Sequence, residues 1–160
     1  MTDAAARWAD IGPLEQLKQL GGLAFLQNVV NGTYPEPPIA ATLGFRFVEV
    51  ESGRAVVALT PHTGHYNLIQ TVHGGVHATL LDTAMACAIL SRLPTGQGFT
   101  TLELKINYVR PMTAATGEVC AEGRIINVGR TIALSEGRLT DSEGRLIAHG
   151  TTTCLVLALQ

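Results

Sequence analysis

The sequence has little of what marks several classes of protein. Only 15% of its 160 residues are charged, the formal net charge is −2, and no basic cluster of the kind that binds nucleic acid is visible. No uninterrupted apolar run reaches the roughly 18 residues that would span a bilayer. We therefore expect neither nucleic acid nor a membrane among its partners.

Cysteine is also scarce, and its placement excludes a cysteine-based metal site. Cys87, Cys120 and Cys154 lie in apolar segments without metal-type spacing. The first residues, 1–4, lack the basic segment of a signal peptide. These features predict a cytoplasmic protein with free thiols. The low charge content further predicts an oligomer that hides apolar surface.

The length suggests one domain of α+β class. An amphipathic helix is predicted over residues 13–31, with a break at Gly21-Gly22, and an extended Pro-rich connector over 34–38. Then come a hairpin over residues 43–60, a loop and a buried helix over 74–93. Four further strands are predicted over residues 100–109, 117–128, 131–140 and 145–157. Short turns favour one antiparallel sheet, wrapped around the buried helix.

The buried helix carries the main chemical signal. Residues 76–93 include 12 apolar residues out of 18, and only Asp82 and Arg92 are charged there. A carboxylate is costly to bury without a partner or a role. Gly74-Gly75 at the helix start can bring backbone N–H groups close to a ligand, where the helix dipole favours negative charge. The combination indicates a site where an oxyanion forms near a carboxylate.

The strand after this helix alternates with period two. Its apolar positions predict a buried face, and the residues between them a solvent-exposed face. The predicted buried face consists of Leu102, Leu104, Ile106 and Tyr108.

The element order and three motifs resemble the hotdog-fold acyl-CoA thioesterases of the phenylacetic-acid-degradation (PaaI-like) type. The motifs are Asn67…Thr71-Val72-His73-Gly74-Gly75…Asp82, the strand 101–111 that ends in Arg-Pro, and Gly129-Arg130-Thr131. The resemblance covers about residues 42–157. It predicts a hotdog thioesterase domain over residues 42–160, preceded by a helical and Pro-rich extension over 1–41.

The resemblance implies hydrolysis of acyl-CoA without a metal or other cofactor. The Gly74 N–H would polarise the carbonyl, with Gly75 allowing close approach and the Asn67 amide as second donor. Asp82 would act as nucleophile or general base, and Thr101 would position the water. The resemblance further implies that the oxyanion donors and the carboxylate would come from different subunits of a homodimer, and a homotetramer is the expected final assembly. The family loop often reads Asn-Pro-x-Gly, whereas this chain has 67-Asn-Leu-Ile-Gln-70, which alters the turn chemistry.

Several residues allow a second interpretation. His73 is a candidate acid–base residue or an anchor for its loop, and we favour the anchor. His62 and His65 are expected to be solvated. Arg110 and Arg130 are candidates for binding CoA phosphates, with surface solvation as the alternative. His73 and His77 have zinc-like spacing but no evident third ligand, so no metal is expected.

Two other activities remain open for such a fold. An acyl-CoA hydratase would use His73 with a carboxylate, and a non-catalytic acyl-CoA-binding protein would keep only the pocket. Release of free thiol from acyl-CoA separates hydrolysis from both.

Overall fold

The computed structural model describes residues 3–160. Five α-helices lie in the order α1 Asp3–Asp10, α2 Pro13–Leu20, α3 Gly22–Val30, α4 Pro38–Leu43 and α5 Gly74–Leu90. Six strands follow the order β1 Phe45–Glu51, β2 Arg54–Leu59, β3 Gln97–Tyr108, β4 Val119–Val128, β5 Ile132–Asp141 and β6 Leu146–Ala158. The predicted α+β class is confirmed. No helix among residues 3–160 is long and apolar enough to cross a membrane.

The N-terminal helices cover the end of α5. The predicted break is confirmed, because Gly21 adopts a φ of 76° between α2 and α3. The Gly22 N–H donates to the Leu93 carbonyl at 3.2 Å, and a Cβ on Gly22 would collide with the Leu90 carbonyl. The two glycines thus end one helix and let the next pack closely against the last turn of α5.

The connector differs from its prediction at one end. Pro38 begins the short helix α4, which a proline at the first helical position permits because its missing N–H has no intrahelical acceptor. The predicted central helix is also three residues too long. It ends at Leu90, where Ser91 caps it by donating its hydroxyl to the Ala88 carbonyl at 2.7 Å.

All six strands pair antiparallel in one sheet, in the order β1-β2-β4-β5-β6-β3. Gly123, Gly137 and Gly150 align across β4, β5 and β6 beneath α5. A Cβ on Gly137 would lie 2.8 Å from Met85 Cγ, and one on Gly123 would collide with the α5 backbone. Gly123 and Gly137 thus let the sheet approach α5 closely. The predicted sheet around a buried apolar helix is confirmed.

One prediction about β3 is wrong. The ladder with β6 pairs Thr101 with Cys154 and Glu103 with Thr153, so Leu102 is an extra, bulged residue. The bulge shifts the alternation by one. Leu102 is therefore 56% exposed, and Thr101 instead faces α5.

Candidate active site

Asp82 and Thr101 form the first part of the site, the carboxylate half-site. Asp82 is half-buried in the middle of α5, and the Thr101 hydroxyl donates to its Oδ1 at 3.0 Å. Cys154 Sγ lies 3.9 Å from the same hydroxyl oxygen. The hydrogen bond orients the carboxylate from the neighbouring strand. Both predicted residues are thus in contact.

Neither nearby cysteine is suited to nucleophilic attack. Burial raises the pKa of Cys87 to about 12, and the charge of Asp82 adds to the shift. Burial likewise raises the pKa of Cys154. Because the thiolate is the reactive form, both thiols are inert near neutral pH. Cys87 belongs instead to a buried apolar cluster with Ile89 and Leu90.

The start of α5 forms the second part, the helix-start half-site. His73 is the N-cap, and its Nδ1 accepts the Gly75 N–H at 2.9 Å. The predicted anchoring contact of His73 is therefore present. The Gly74 N–H has no acceptor within residues 3–160, and the helix dipole adds positive character there. It is thus the donor available to a ligand.

Tyr108 is a residue of this half-site to which the sequence assigned no role. Its hydroxyl donates to the Gly74 carbonyl at 3.1 Å. A Cβ on Gly74 would lie 3.3 Å from the Tyr108 ring and hydroxyl. Together with His77 and Arg110, these residues line a cavity of about 270 Å³. Tyr108 was predicted to face inward, but the sequence does not show that β3 ends beside the helix start.

Asn67 holds the loop that precedes α5. Its Oδ1 accepts the N–H groups of Ile69 at 3.0 Å and Thr71 at 3.2 Å, and its Nδ2 donates to Thr71 Oγ1 at 3.0 Å. The second Nδ2 hydrogen has no acceptor in the part of the chain described. Gln70 has a φ of 62°, where the family pattern has glycine. The turn after Asn67 thus places a non-glycine residue, Gln70, in the left-handed region, which costs conformational energy.

His65 differs from its prediction, because it is only 7% exposed. Its Nε2–H donates to the Leu43 carbonyl at 2.9 Å, and its own carbonyl accepts the His73 N–H at 2.8 Å. Burial lowers the pKa of His65, and the neighbouring His62 lowers it further. The sequence missed this burial because α4, which carries Leu43, was not predicted.

His73 and His77 make separate contacts with the backbone. The Nδ1–H of His77 donates to the His73 carbonyl at 3.2 Å, and burial lowers the pKa of His77. Residues 3–160 bring no three His, Cys, Asp or Glu side chains to metal-binding distance.

The two arginines lie at opposite ends of β3. Arg110 is exposed beside the cavity at Gly74 and donates from Nη1 to the Leu146 carbonyl at 3.2 Å. Arg130 is exposed in the β4–β5 turn. The next residue, Thr131, accepts the N–H of Val156, which pairs with Phe99 near the start of β3.

Within one chain the two half-sites are well separated. Gly74 and Asp82 are eight residues apart on one helix, which corresponds to about 12 Å at the α-helical rise. Seven positions of β3 separate Thr101 from Tyr108. One carbonyl therefore cannot contact both the Gly74 N–H and the carboxylate of the same chain.

Comparison with known proteins identifies the family. The Thioesterase superfamily matches residues 69–148, which include Gly74, Asp82 and Thr101. The chain belongs to this superfamily. Human acyl-coenzyme A thioesterase 13 is 31% identical over 108 residues, or 66% of this chain and 75% of that protein. A Halobacterium salinarum protein is 39% identical over 67 residues, which is only 42% of its length.

The fold of this thioesterase is the predicted hotdog fold. The Escherichia coli PaaI protein from the phenylacetic acid degradation operon superimposes with a TM-score of 0.74. The match covers 84% of this chain and 94% of that protein at 22% identity. The sequence resemblance to PaaI-like proteins is confirmed at the level of fold and superfamily.

Proposed function

We propose that this thioesterase hydrolyses acyl-CoA thioesters to the free acid and CoA. The observation that carries the proposal is the 3.0 Å hydrogen bond from Thr101 to Asp82 on a helix that begins with a free Gly74 N–H. The name of its human relative supports acyl-CoA as the substrate class.

The helix start would stabilise the developing charge. The thioester carbonyl oxygen would accept the Gly74 N–H and the second hydrogen of Asn67 Nδ2, while Gly75 leaves room for the substrate. One well-placed oxyanion donor is worth about 10²–10³ in rate. His73 would act by holding this turn.

Asp82 has two possible roles. As general base, it takes a proton from a water molecule held by Thr101. The water oxygen bonds to the carbonyl carbon, the C–S bond breaks, and the proton passes to the departing CoA sulfur. As nucleophile, its carboxylate bonds to the carbonyl carbon, and the C–S bond breaks to release CoA as the thiolate. Water then hydrolyses the acyl–aspartyl anhydride to the free acid and the Asp82 carboxylate, and the proton set free passes to the thiolate. Neither route needs a cofactor.

The separation of the half-sites supports a homodimer. Strand β3 is a 12-residue edge strand with exposed apolar side chains, and such an edge favours pairing with another strand. An antiparallel β3–β3 pair with Lys105 opposite its own copy on the twofold axis would place Thr101 opposite Tyr108, since Leu102 is bulged, and so bring Asp82 and Thr101 beside the partner subunit's Gly74. Pairing of two such dimers would give the expected tetramer.

The same pairing gives both arginines one role. Arg130 lies at the Thr101 end of β3, and Arg110 lies at the other end. In the dimer, Arg130 would approach the partner subunit's Arg110 at the mouth of one composite site. Guanidinium groups at this mouth would suit the phosphates of CoA.

The test is thiol release from a panel of straight-chain and aryl acyl-CoA substrates by wild type and Asp82→Asn. The variant removes a charge with little change of shape. We expect kcat to fall by at least about 10², while the exposed-residue control Glu136→Gln stays near wild type. Near-wild-type kcat in Asp82→Asn would refute the carboxylate mechanism. Water addition to an enoyl-CoA without thiol release would instead favour the hydratase, and binding without turnover the acyl-CoA-binding protein.

A further inference from the structure

Strand β3 serves both half-sites only because it is bulged. Thr101 contacts Asp82 and Tyr108 contacts Gly74, so both side chains face α5. In a regular strand, residues seven positions apart lie on opposite faces. The extra residue Leu102 shifts the alternation of side-chain directions by one position, so Thr101 and Tyr108 lie on the same face of β3.

One buried hydroxyl is bonded to this bulge. Thr152 on β6 is 1% exposed and donates its hydroxyl to the Glu103 carbonyl at 2.8 Å. In the ladder it pairs with Leu104, the first inward residue after the bulge. A buried hydroxyl without an acceptor would be costly, and the bulged backbone presents the Glu103 carbonyl as the acceptor of the Thr152 hydroxyl, which favours the bulge.

Thr152 also lies next to the carboxylate half-site along its strand. Two residues further on β6, Cys154 pairs with Thr101 and points to the same face. The inward-facing side chains of β6 thus include both Thr152, which is bonded to the bulge, and Cys154, which pairs with Thr101. Movement of the bulge would shift the Thr101 hydroxyl relative to Asp82 Oδ1.

We propose that Thr152 is a positioning residue of this thioesterase, which holds the Leu102 bulge through the Glu103 carbonyl and so directs Thr101 at Asp82. The inference rests on the proposed function, in which the Thr101–Asp82 pair takes part in hydrolysis. Thr152 itself does not contact the substrate.

The first experiment separates the hydroxyl from the packing of Thr152. Thr152→Val is nearly isosteric but lacks the hydroxyl, and Thr152→Ser keeps the hydroxyl but lacks the methyl. Because displacements of about 1 Å can cost up to 10² in rate, we expect kcat to fall about tenfold in Thr152→Val with KM within about twofold of wild type. Thr152→Ser should keep the wild-type kcat even if it melts at a lower temperature.

Two controls accompany these variants. Thr151→Val changes the preceding, outward-facing residue of β6 and should leave kcat unchanged. If Thr152→Val does not fold, Thr152→Ala compared with Thr152→Ser gives the same contrast, since this pair differs by one hydroxyl. Equal kcat values with and without the hydroxyl would overturn the proposal.

The second experiment tests whether Thr152 acts through Thr101. Thr101→Val should lower kcat, and adding Thr152→Val to it should lower kcat no further, because the hydroxyl being positioned is already gone. Independent, multiplying losses would show a general structural role and overturn the proposal, as would an unchanged kcat in Thr101→Val. Asp82→Asn measured alongside distinguishes this failure from failure of the proposed function, which requires that variant to be inactive.

Discussion

The two half-sites are built in different ways. The carboxylate half-site joins Asp82 on α5 to Thr101 on β3 through side chains, in a half-buried position supported by β6. The helix-start half-site offers a backbone N–H at Gly74, and a loop folded by Asn67, His65 and His73 holds it. One depends on strand register and the other on local turns.

This difference predicts different sensitivities. A side-chain site is removed by one nearly isosteric substitution, whereas a backbone donor can be disturbed only by bulk or by changing its loop. The helix-start half-site should also respond to acid, because buried histidine holds its loop together.

The largest effect is expected from a substitution that blocks the helix-start half-site. Gly74→Val would press a branched side chain against Tyr108, which lies 3.3 Å from the position of a Cβ, and against the approaching carbonyl. We expect it to lose about 10² or more in kcat, the value of an oxyanion donor. Thr79→Val, a nearly isosteric change on the next turn of α5, should stay active.

Mixing the inactive Gly74→Val and Asp82→Asn chains should restore activity. In a heterodimer with a composite site, one of the two sites has both an intact Gly74 and an intact Asp82. Refolding the variants together at equal amounts should thus recover about a quarter of wild-type activity, since half of randomly formed dimers are heterodimers. Mixtures as inactive as the separate variants would show that no site is shared between chains.

The sequence predicts the features that depend on local structure better than those that depend on contacts between distant segments. The helix start at Gly74, the half-buried place of Asp82 and the loop contact of His73 could be predicted because each depends on one helix and its first turn. The inward face of Thr101 could not be derived from periodicity, which placed Leu102 there instead. The bulge turns Leu102 outward and leaves Thr101 facing inward. It involves the hydroxyl of Thr152, which lies 49 residues along the chain from Glu103, whose carbonyl it contacts. Burial of His65 was missed for a similar reason, because it depends on contact with Leu43.

Lowering the pH should destabilise the fold through protonation of His65. Because burial lowers the pKa of this residue in the folded state, the unfolded chain binds the additional proton first as the pH falls. The stabilising contribution of neutral His65 is thus present above about pH 6.5, the ordinary histidine value, and is lost toward the lower folded pKa. Thermal unfolding between pH 8 and pH 5 should show a falling Tm.

Substitution at His65 should weaken this dependence. His65→Gln removes the titrating group while keeping an amide that can donate to the Leu43 carbonyl, so its Tm should fall less over the same range. His77, whose pKa is also lowered by burial, accounts for part of the remaining slope. The same substitution at the exposed His149, outside this loop, provides the matched control. A His65→Gln slope equal to that of wild type would place the acid sensitivity elsewhere.

The smallest effect is expected at Gln70, the left-handed residue in the turn after Asn67. Left-handed geometry costs a non-glycine residue about 1–2 kcal/mol, and glycine would lose about 0.4–1 kcal/mol through the greater freedom of its unfolded chain. Gln70→Gly should therefore raise the free energy of unfolding by about 0.5–1 kcal/mol in a denaturant titration. Because Asn67 already fixes the turn through Ile69 and Thr71, kcat should not change. A marked fall in kcat would mean that the strained turn itself sets the position of the Asn67 amide, and the helix-start half-site would then depend on more than its hydrogen bonds.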